Sequence, residues 1–129
     1  MTRLIKKLSE PKILLFLGVL YTAFVTVAFL SPVVEIPPSN IPFPDKLAHV
    51  IIHSVLFFIW LSYGIVYDKS HNRIKIVFVI LIACLIYGTG IEVLQHYFIK
   101  SRAFDLYDIF ANEIGGLIGL LFYWIVTRK

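Results

Sequence analysis

Ionisable and amide side chains recur at helical spacing in the stretch GIEVLQHYFIKSRAFDLYDIFANEIGG. Glu92, Gln95 and His96 follow at i, i+3 and i+4, which places them on one face of a helix. Asp108 and Asn112 follow at i and i+4 and form a second polar face. Carboxyl, imidazole and amide groups in such an arrangement can move protons or hold a bound molecule by hydrogen bonds. The pattern therefore predicts either a binding site or a catalytic site.

Two further features extend these faces. Asp45, His49 and His53 recur at intervals of four at the start of another apolar run, so they form a third polar face. The spacing of the two histidines resembles a helical metal pair, but no H-E-x-x-H arrangement accompanies it. We therefore predict no metal site, and the sequence identifies no cofactor.

Glycines continue the second polar face along the same helix. Gly115, Gly116 and Gly119 lie below Asn112, and small residues of this kind allow helices to approach closely in lipid. Glu113 lies about 140° from the Asp108 position around the helix, so we assign it to a different surface. The glycine stripe is predicted to be a packing face that positions its polar neighbours.

The elements that carry these faces are predicted to cross a membrane. The chain has 129 residues, of which 59% are apolar and 16% charged, and its mean hydropathy is +0.85. These values lie outside the range of soluble domains. A helix that spans about 30 Å of hydrocarbon needs roughly 20 residues. We predict a single all-α integral membrane domain, a bundle of four transmembrane helices at about 12–30, 47–67, 74–99 and 106–127.

The basic amino-terminal start followed by an apolar run also fits a secretory signal peptide. The run is longer than a usual signal core, and no small-x-small cleavage site precedes Ser31, so we favour an uncleaved first helix. The lone cysteine, Cys84, has no partner for a disulfide within the chain.

Basic residues give the predicted orientation, because cytoplasmic ends carry the excess of Lys and Arg. Nine of the 12 basic residues fall on the side of the two termini and the middle loop, and only Lys46, Lys100 and Arg102 fall on the other. Both termini are therefore expected to be cytoplasmic, with the polar faces on the extracytoplasmic side. Attraction of the basic side to anionic lipid requires no nucleic-acid partner.

Glu92 is the residue least easily explained by structure alone. It lies about 10 Å along its helix from Ile99, within hydrocarbon depth, where an unpaired carboxylate is costly. Other polar residues could have a structural role instead of a functional one. Asp45 and Asp105 fit helix capping, and Lys46 and Lys100 fit side chains that extend to the membrane interface.

Three motifs resemble the VanZ-like family of membrane proteins. They are DKLAH, GIEVLQHYF and SRAFDLYDIFANEIGGLIG, and they cover roughly residues 43–122. The matching positions are Asp45, Lys46, His49, Glu92, Gln95, Arg102, Asp105, Asp108, Asn112 and Gly115. No family role extends to His53 or Glu113. The resemblance implies a link to the cell envelope and to resistance to the lipoglycopeptide teicoplanin.

Two functions fit these residues. In the first, the protein binds a lipid-linked, phosphorylated cell-envelope component, such as a cell-wall precursor, or the lipoglycopeptide itself. Arg102 and Lys46 contact the anionic group, and the remaining ligand-binding candidates are Asp45, Gln95, Asp105 and Asn112. Membrane lipids are expected as neighbours, and a homo-oligomer is compatible with the sequence.

In the second function, the chain is a small membrane enzyme acting on a phosphorylated lipid. Glu92 or Asp108 acts as general acid or base, His49 is the proton partner, and Arg102 stabilises charge on a phosphoryl oxygen. The sequence has no Gly-x-Ser-x-Gly motif and no cysteine in a polar setting, so it leaves enzymatic activity undecided.

Overall fold

The computed structural model is helical throughout the part of the chain that it describes, residues 10–31, 43–69, 72–100 and 102–128. The helices are α1 (Pro11–Leu30), α2 (Pro44–Tyr67), α3 (Arg73–Phe98) and α4 (Leu106–Thr127). All four are long and apolar enough to cross a membrane. For the described residues, the prediction of an all-α chain with four helices long and apolar enough to span a membrane is thus confirmed.

Local sequence explains where the helices begin. Proline occupies the first turn of α1 and α2, where its missing N–H removes no helical hydrogen bond. Asp105 caps α4, since its side chain accepts a hydrogen bond from the backbone N–H of Tyr107. Helix α2 begins at Pro44, earlier than the start near residue 47 expected from the apolar run. Asp45 therefore lies within the first turn of α2 and does not cap it.

Helices α2 and α4 pack closely through the predicted glycine stripe. A Cβ atom at Gly115 would collide with the carbonyl oxygen of Val50, and one at Gly119 with that of Ser54. The absence of side chains at these positions lets the two backbones meet. Below the glycines, Leu56 belongs to an apolar core shared with α3.

Helix α1 is held against its neighbours by hydrogen bonds as well as apolar packing. Trp60 Nε1 donates to Thr22 Oγ1 at 3.0 Å, and the Tyr21 hydroxyl donates to the carbonyl of Ile52 at 3.1 Å. Polar contacts of this kind hold helices together in lipid, where apolar burial between helices drives association only weakly. They hold the middle of α1 against α2.

The outer surface of the bundle is apolar. Phe16, Phe24, Phe78, Ile86 and Ile125 are each more than 60% exposed, and similar side chains cover all four helices. Such a surface suits contact with lipid chains rather than water. The buried polar side chains of the described helices are therefore shielded from lipid by this apolar surface.

Candidate functional site

Six polar side chains are buried together where α2 and α4 begin and α3 ends. We call them the buried polar cluster: His49, His53, Glu92, Gln95, Asp108 and Asn112, each at most 5% exposed. Burial of so many polar groups requires partners for their hydrogen-bonding atoms. Three helices supply the members, as the helical spacing indicated.

Four half-exposed charged residues lie above this cluster. We call them the charged rim: Asp45, Lys46, Arg102 and Asp105. The Lys46 ammonium donates to Asp105 Oδ2 and to Asp108 Oδ1, each at 2.5 Å. Lys46 thereby joins α2 to the start of α4 and connects the rim to the buried polar cluster. Within the described parts of the chain, Arg102 Nη2 makes one longer contact, 3.5 Å from Asp45 Oδ1.

His49 occupies the centre of the arrangement. Its Nδ1 atom lies 2.9 Å from Asn112 Oδ1, and its ring stacks on Phe29 of α1 at a centroid distance of 4.5 Å. Carboxylate oxygens flank both ring nitrogens: Glu92 Oε1 lies 3.9 Å from Nδ1, and Asp108 Oδ2 lies 3.9 Å from Nε2. The imidazole therefore lies between two carboxyl groups on different helices.

Four buried atoms of the cluster have no hydrogen-bond partner within the described chain. They are His49 Nε2, His53 Nε2, Glu92 Oε1 and Gln95 Oε1. A buried polar atom left without a partner costs roughly 1–3 kcal/mol. All four belong to one cluster, and each could exchange a hydrogen bond with a water molecule or a ligand group.

Two contacts shape the floor of the cluster. Gln95 Nε2 donates to the carbonyl of Phe29 at 2.8 Å, which connects α3 to the end of α1. A Cβ atom at Gly88 would lie 2.8 Å from Asn112 Nδ2 and 3.2 Å from His53 Cε1. Glycine at this position therefore leaves space for the amide and the imidazole.

The site has more negative than positive charge. Its four carboxyl groups and two cations are Asp45, Glu92, Asp105, Asp108, Lys46 and Arg102. If all ionise and the histidines stay neutral, four negative charges and two positive charges leave a formal charge of −2. The hydrogen bond from Lys46, followed by that from the Tyr107 backbone, lowers the pKa of Asp105 below its ordinary value. Asp105 thus stays ionised at neutral pH.

The structure brings all nine predicted site residues into the buried polar cluster or the charged rim. His96 differs from the expected pattern: it is exposed, because the face centred on Glu92 and Gln95 is turned slightly away from it. Glu113 belongs to neither the buried polar cluster nor the charged rim, as expected. Asp105 caps α4, as one sequence alternative predicted, and it also binds Lys46; its role in ligand binding stays a prediction.

Sequence reasoning gave two residues of this site no role. His53 is 2% exposed and packs beside Phe29, and its spacing of four from His49 was the available signal. Phe29 itself lies at the end of an apolar helix, and nothing in its local sequence indicated a contact with His49.

The fold and the site define a multi-pass membrane protein of four helices with a polar centre at one end of the bundle. The family model described as VanZ/LLP1 matches residues 4–127. The chain belongs to the VanZ/LLP1 family.

One relative is an uncharacterized protein of Schizosaccharomyces pombe, 32% identical over 99 residues. The match covers 76% of this chain and 58% of the relative, so the chain spans less than two thirds of that protein's length. No solved structure matches the chain significantly. The comparisons therefore identify the family of the chain but not its activity.

Proposed function

We propose that this protein binds a lipid-linked, phosphorylated cell-envelope component at the charged rim. Arg102 and Lys46 contact the anionic group, while the rim carboxylates and the amides below accept or donate hydrogen bonds to the rest of the headgroup. The lipid chains of the ligand lie against the apolar outer surface of the helices.

The observation that carries this proposal is the loose attachment of Arg102. Among the residues that the structure describes, its guanidinium has one contact, at 3.5 Å, to an aspartate that is itself half exposed, so these residues leave most of its donors available to a ligand. Lys46 already donates hydrogen bonds to two aspartates. Its main contribution to the ligand is therefore a nearby positive charge. A ligand with one anionic group and several hydroxyl groups matches one available cation surrounded by acceptors.

A binding measurement tests the proposal directly. Purified protein in lipid nanodiscs is titrated with a polyprenyl-pyrophosphate-linked sugar and, separately, with an anionic phospholipid. We expect Arg102→Gln to weaken binding of the first probe about tenfold, the loss of one charge-assisted contact. The matched control Lys100→Gln removes an exposed cation from the same loop and should leave binding unchanged. Equal affinity of wild type and Arg102→Gln would remove the basis of the proposal.

The proposal also places the charged rim on the extracytoplasmic side, as the distribution of Lys and Arg favours. With Cys84 replaced by alanine, Ala103→Cys in intact cells is expected to react with a membrane-impermeant maleimide. Lys69→Cys, at the opposite end of the bundle, is expected to react only after lysis. The reverse labelling pattern would contradict this orientation and, with it, an envelope ligand reached from outside.

A second candidate function, acid–base catalysis on the same ligand, is favoured by the position of His49 between two carboxyl groups at 3.9 Å. Such a chain can relay a proton between the protein and a substrate oxygen. If Glu92→Gln and His49→Ala still bind the sugar-linked lipid but abolish its conversion to product, the protein is an enzyme. If no product forms with wild-type protein, binding alone is the function.

A further inference from the structure

The geometry points to a binding site for one divalent first-row transition metal ion, with zinc as the reference ion, formed by Asp45, His49 and Asp108. This inference stands independently of the proposed lipid ligand, since it concerns only the side chains of the chain itself. It differs from the sequence-based prediction of no metal site, because the site pairs His49 with two aspartates and does not use the second histidine.

The distances suit coordination of a single ion. One ligand atom from each of the three residues lies within 4.8 Å of the others, and His49 Nε2 lies 3.9 Å from Asp108 Oδ2. Atoms bound to one tetrahedral zinc ion at about 2.0–2.2 Å lie roughly 3.4 Å apart. The three side chains must therefore move closer together by about 1 Å when the ion binds, and Asp45, which is half exposed, has room to do so.

The hydrogen bond of His49 prepares its other nitrogen for a metal. With Asn112 Oδ1 facing the ring at 2.9 Å, Nδ1 carries the proton and donates it to that oxygen. Nε2 then presents a lone pair toward Asp108 Oδ2, also an acceptor, and it has no hydrogen-bond partner. Two facing acceptors repel unless a proton or a metal ion lies between them. Metal-binding histidines commonly show this arrangement, with the second nitrogen fixed by an outer hydrogen bond.

Charge favours the same conclusion. The two proposed carboxylate ligands, Asp45 and Asp108, carry a formal charge of −2 when ionised, which one divalent ion neutralises. Lys46 and Arg102 oppose the ion, but Lys46 binds Oδ1 of Asp108 and leaves Oδ2 directed at His49. One imidazole nitrogen with carboxylate oxygens favours zinc and similar ions over magnesium, which prefers oxygen ligands throughout. Three protein ligands leave positions open for water or for a ligand oxygen.

Metal binding by the full-length, tag-free protein in detergent tests the inference. Equilibrium dialysis against zinc with elemental analysis is expected to give one ion per chain for wild type, and excess magnesium should not displace it. His49→Gln, Asp108→Asn and Asp45→Asn are each expected to weaken binding by about tenfold or more. His96→Gln is the matched control, since it removes an exposed histidine near the same end of the bundle.

The outcomes separate metal binding from misfolding. Circular dichroism and gel filtration report whether each variant folds, and Asp45→Asn decides the matter if a buried variant does not, because Asp45 is half exposed. Cobalt bound by wild type is expected to show visible absorption bands that change in Asp45→Asn. The inference is overturned if wild type binds less than one zinc per chain at saturation, or if His96→Gln loses zinc while the three ligand variants retain it.

Discussion

Replacement of Gly115 by leucine is expected to destabilise the folded protein by about 3 kcal/mol, the upper part of the range for overpacking substitutions. Helix α4 meets α2 at this position with no space for a Cβ atom, which would collide with the Val50 carbonyl oxygen and approach His53 Cβ to 3.1 Å. A backbone oxygen cannot move away without displacing α2. Because α2 carries His49 and Lys46, the same substitution is expected to separate the site as well.

The apparent melting temperature in detergent measures this effect. Gly90→Leu is the matched control, since a Cβ atom at Gly90 would meet no other atom within 4 Å. Both substitutions gain helix propensity, about 1 kcal/mol for removal of a helical glycine, so their difference isolates packing. A Gly115→Leu protein that melts at or above the temperature of Gly90→Leu would show that α2 and α4 do not pack through this glycine.

Replacement of Lys46 by methionine is expected to have the second largest effect on stability. Methionine keeps an unbranched apolar chain but removes the ammonium that binds Asp108, which is 5% exposed. A buried ion pair that loses one partner costs about 3–5 kcal/mol, and the half-exposed position of Lys46 reduces our expectation to about 2 kcal/mol.

Thermal unfolding of a double-mutant cycle checks the origin of this loss. Asp108→Asn removes the carboxylate that Lys46→Met leaves unpaired, so the double variant is expected to be more stable than the sum of the single losses implies. Lys100→Met, which alters an exposed lysine of the adjacent loop, is expected to melt like wild type. Additive losses in the cycle would contradict the contact between Lys46 and Asp108.

Most of the fold follows from the order of apolar and polar segments. Four runs of about 20 apolar residues can only be helices when the backbone must satisfy its own hydrogen bonds in lipid. The apolar run predicts a start for α2 that is about one turn too late. The first turn after Pro44 is polar, and a hydropathy profile does not detect a polar helical turn. The glycine stripe could be predicted to be a packing face, because small residues at helical spacing in a membrane helix usually allow close approach of another helix.

Within the site, helical spacing was enough to group residues that share one helix. This spacing predicted that Glu92 and Gln95 share one helical face and that Asp108 and Asn112 share another, since residues at i, i+3 and i+4 lie on the same side of a helix. The same spacing wrongly placed His96 among the buried residues. A neighbouring helix buries only part of a helical face, and His96 lies on the part that stays exposed. Rotation of α3 about its axis decides which edge of the face is buried, and only packing fixes that rotation.

Contacts between helices could not be predicted from one sequence. The stacking of Phe29 on His49 and the hydrogen bond from Gln95 to the Phe29 carbonyl depend on how far α1 extends beside α2 and α3. The pairing of Lys46 with two aspartates depends likewise on the register between α2 and α4. Sequence showed which charges lie at this end of the bundle, and the structure shows which of them are already paired.

The lipid that co-purifies with the protein tests the central proposal most directly. Wild type and Lys100→Gln are extracted in mild detergent, and their bound lipids are compared with the source membrane by mass spectrometry. The proposed function predicts enrichment of a phosphorylated, lipid-linked sugar in both, and its loss from Arg102→Gln at equal protein recovery. Bound lipids that match the bulk membrane in all three proteins would contradict a specific ligand at the charged rim.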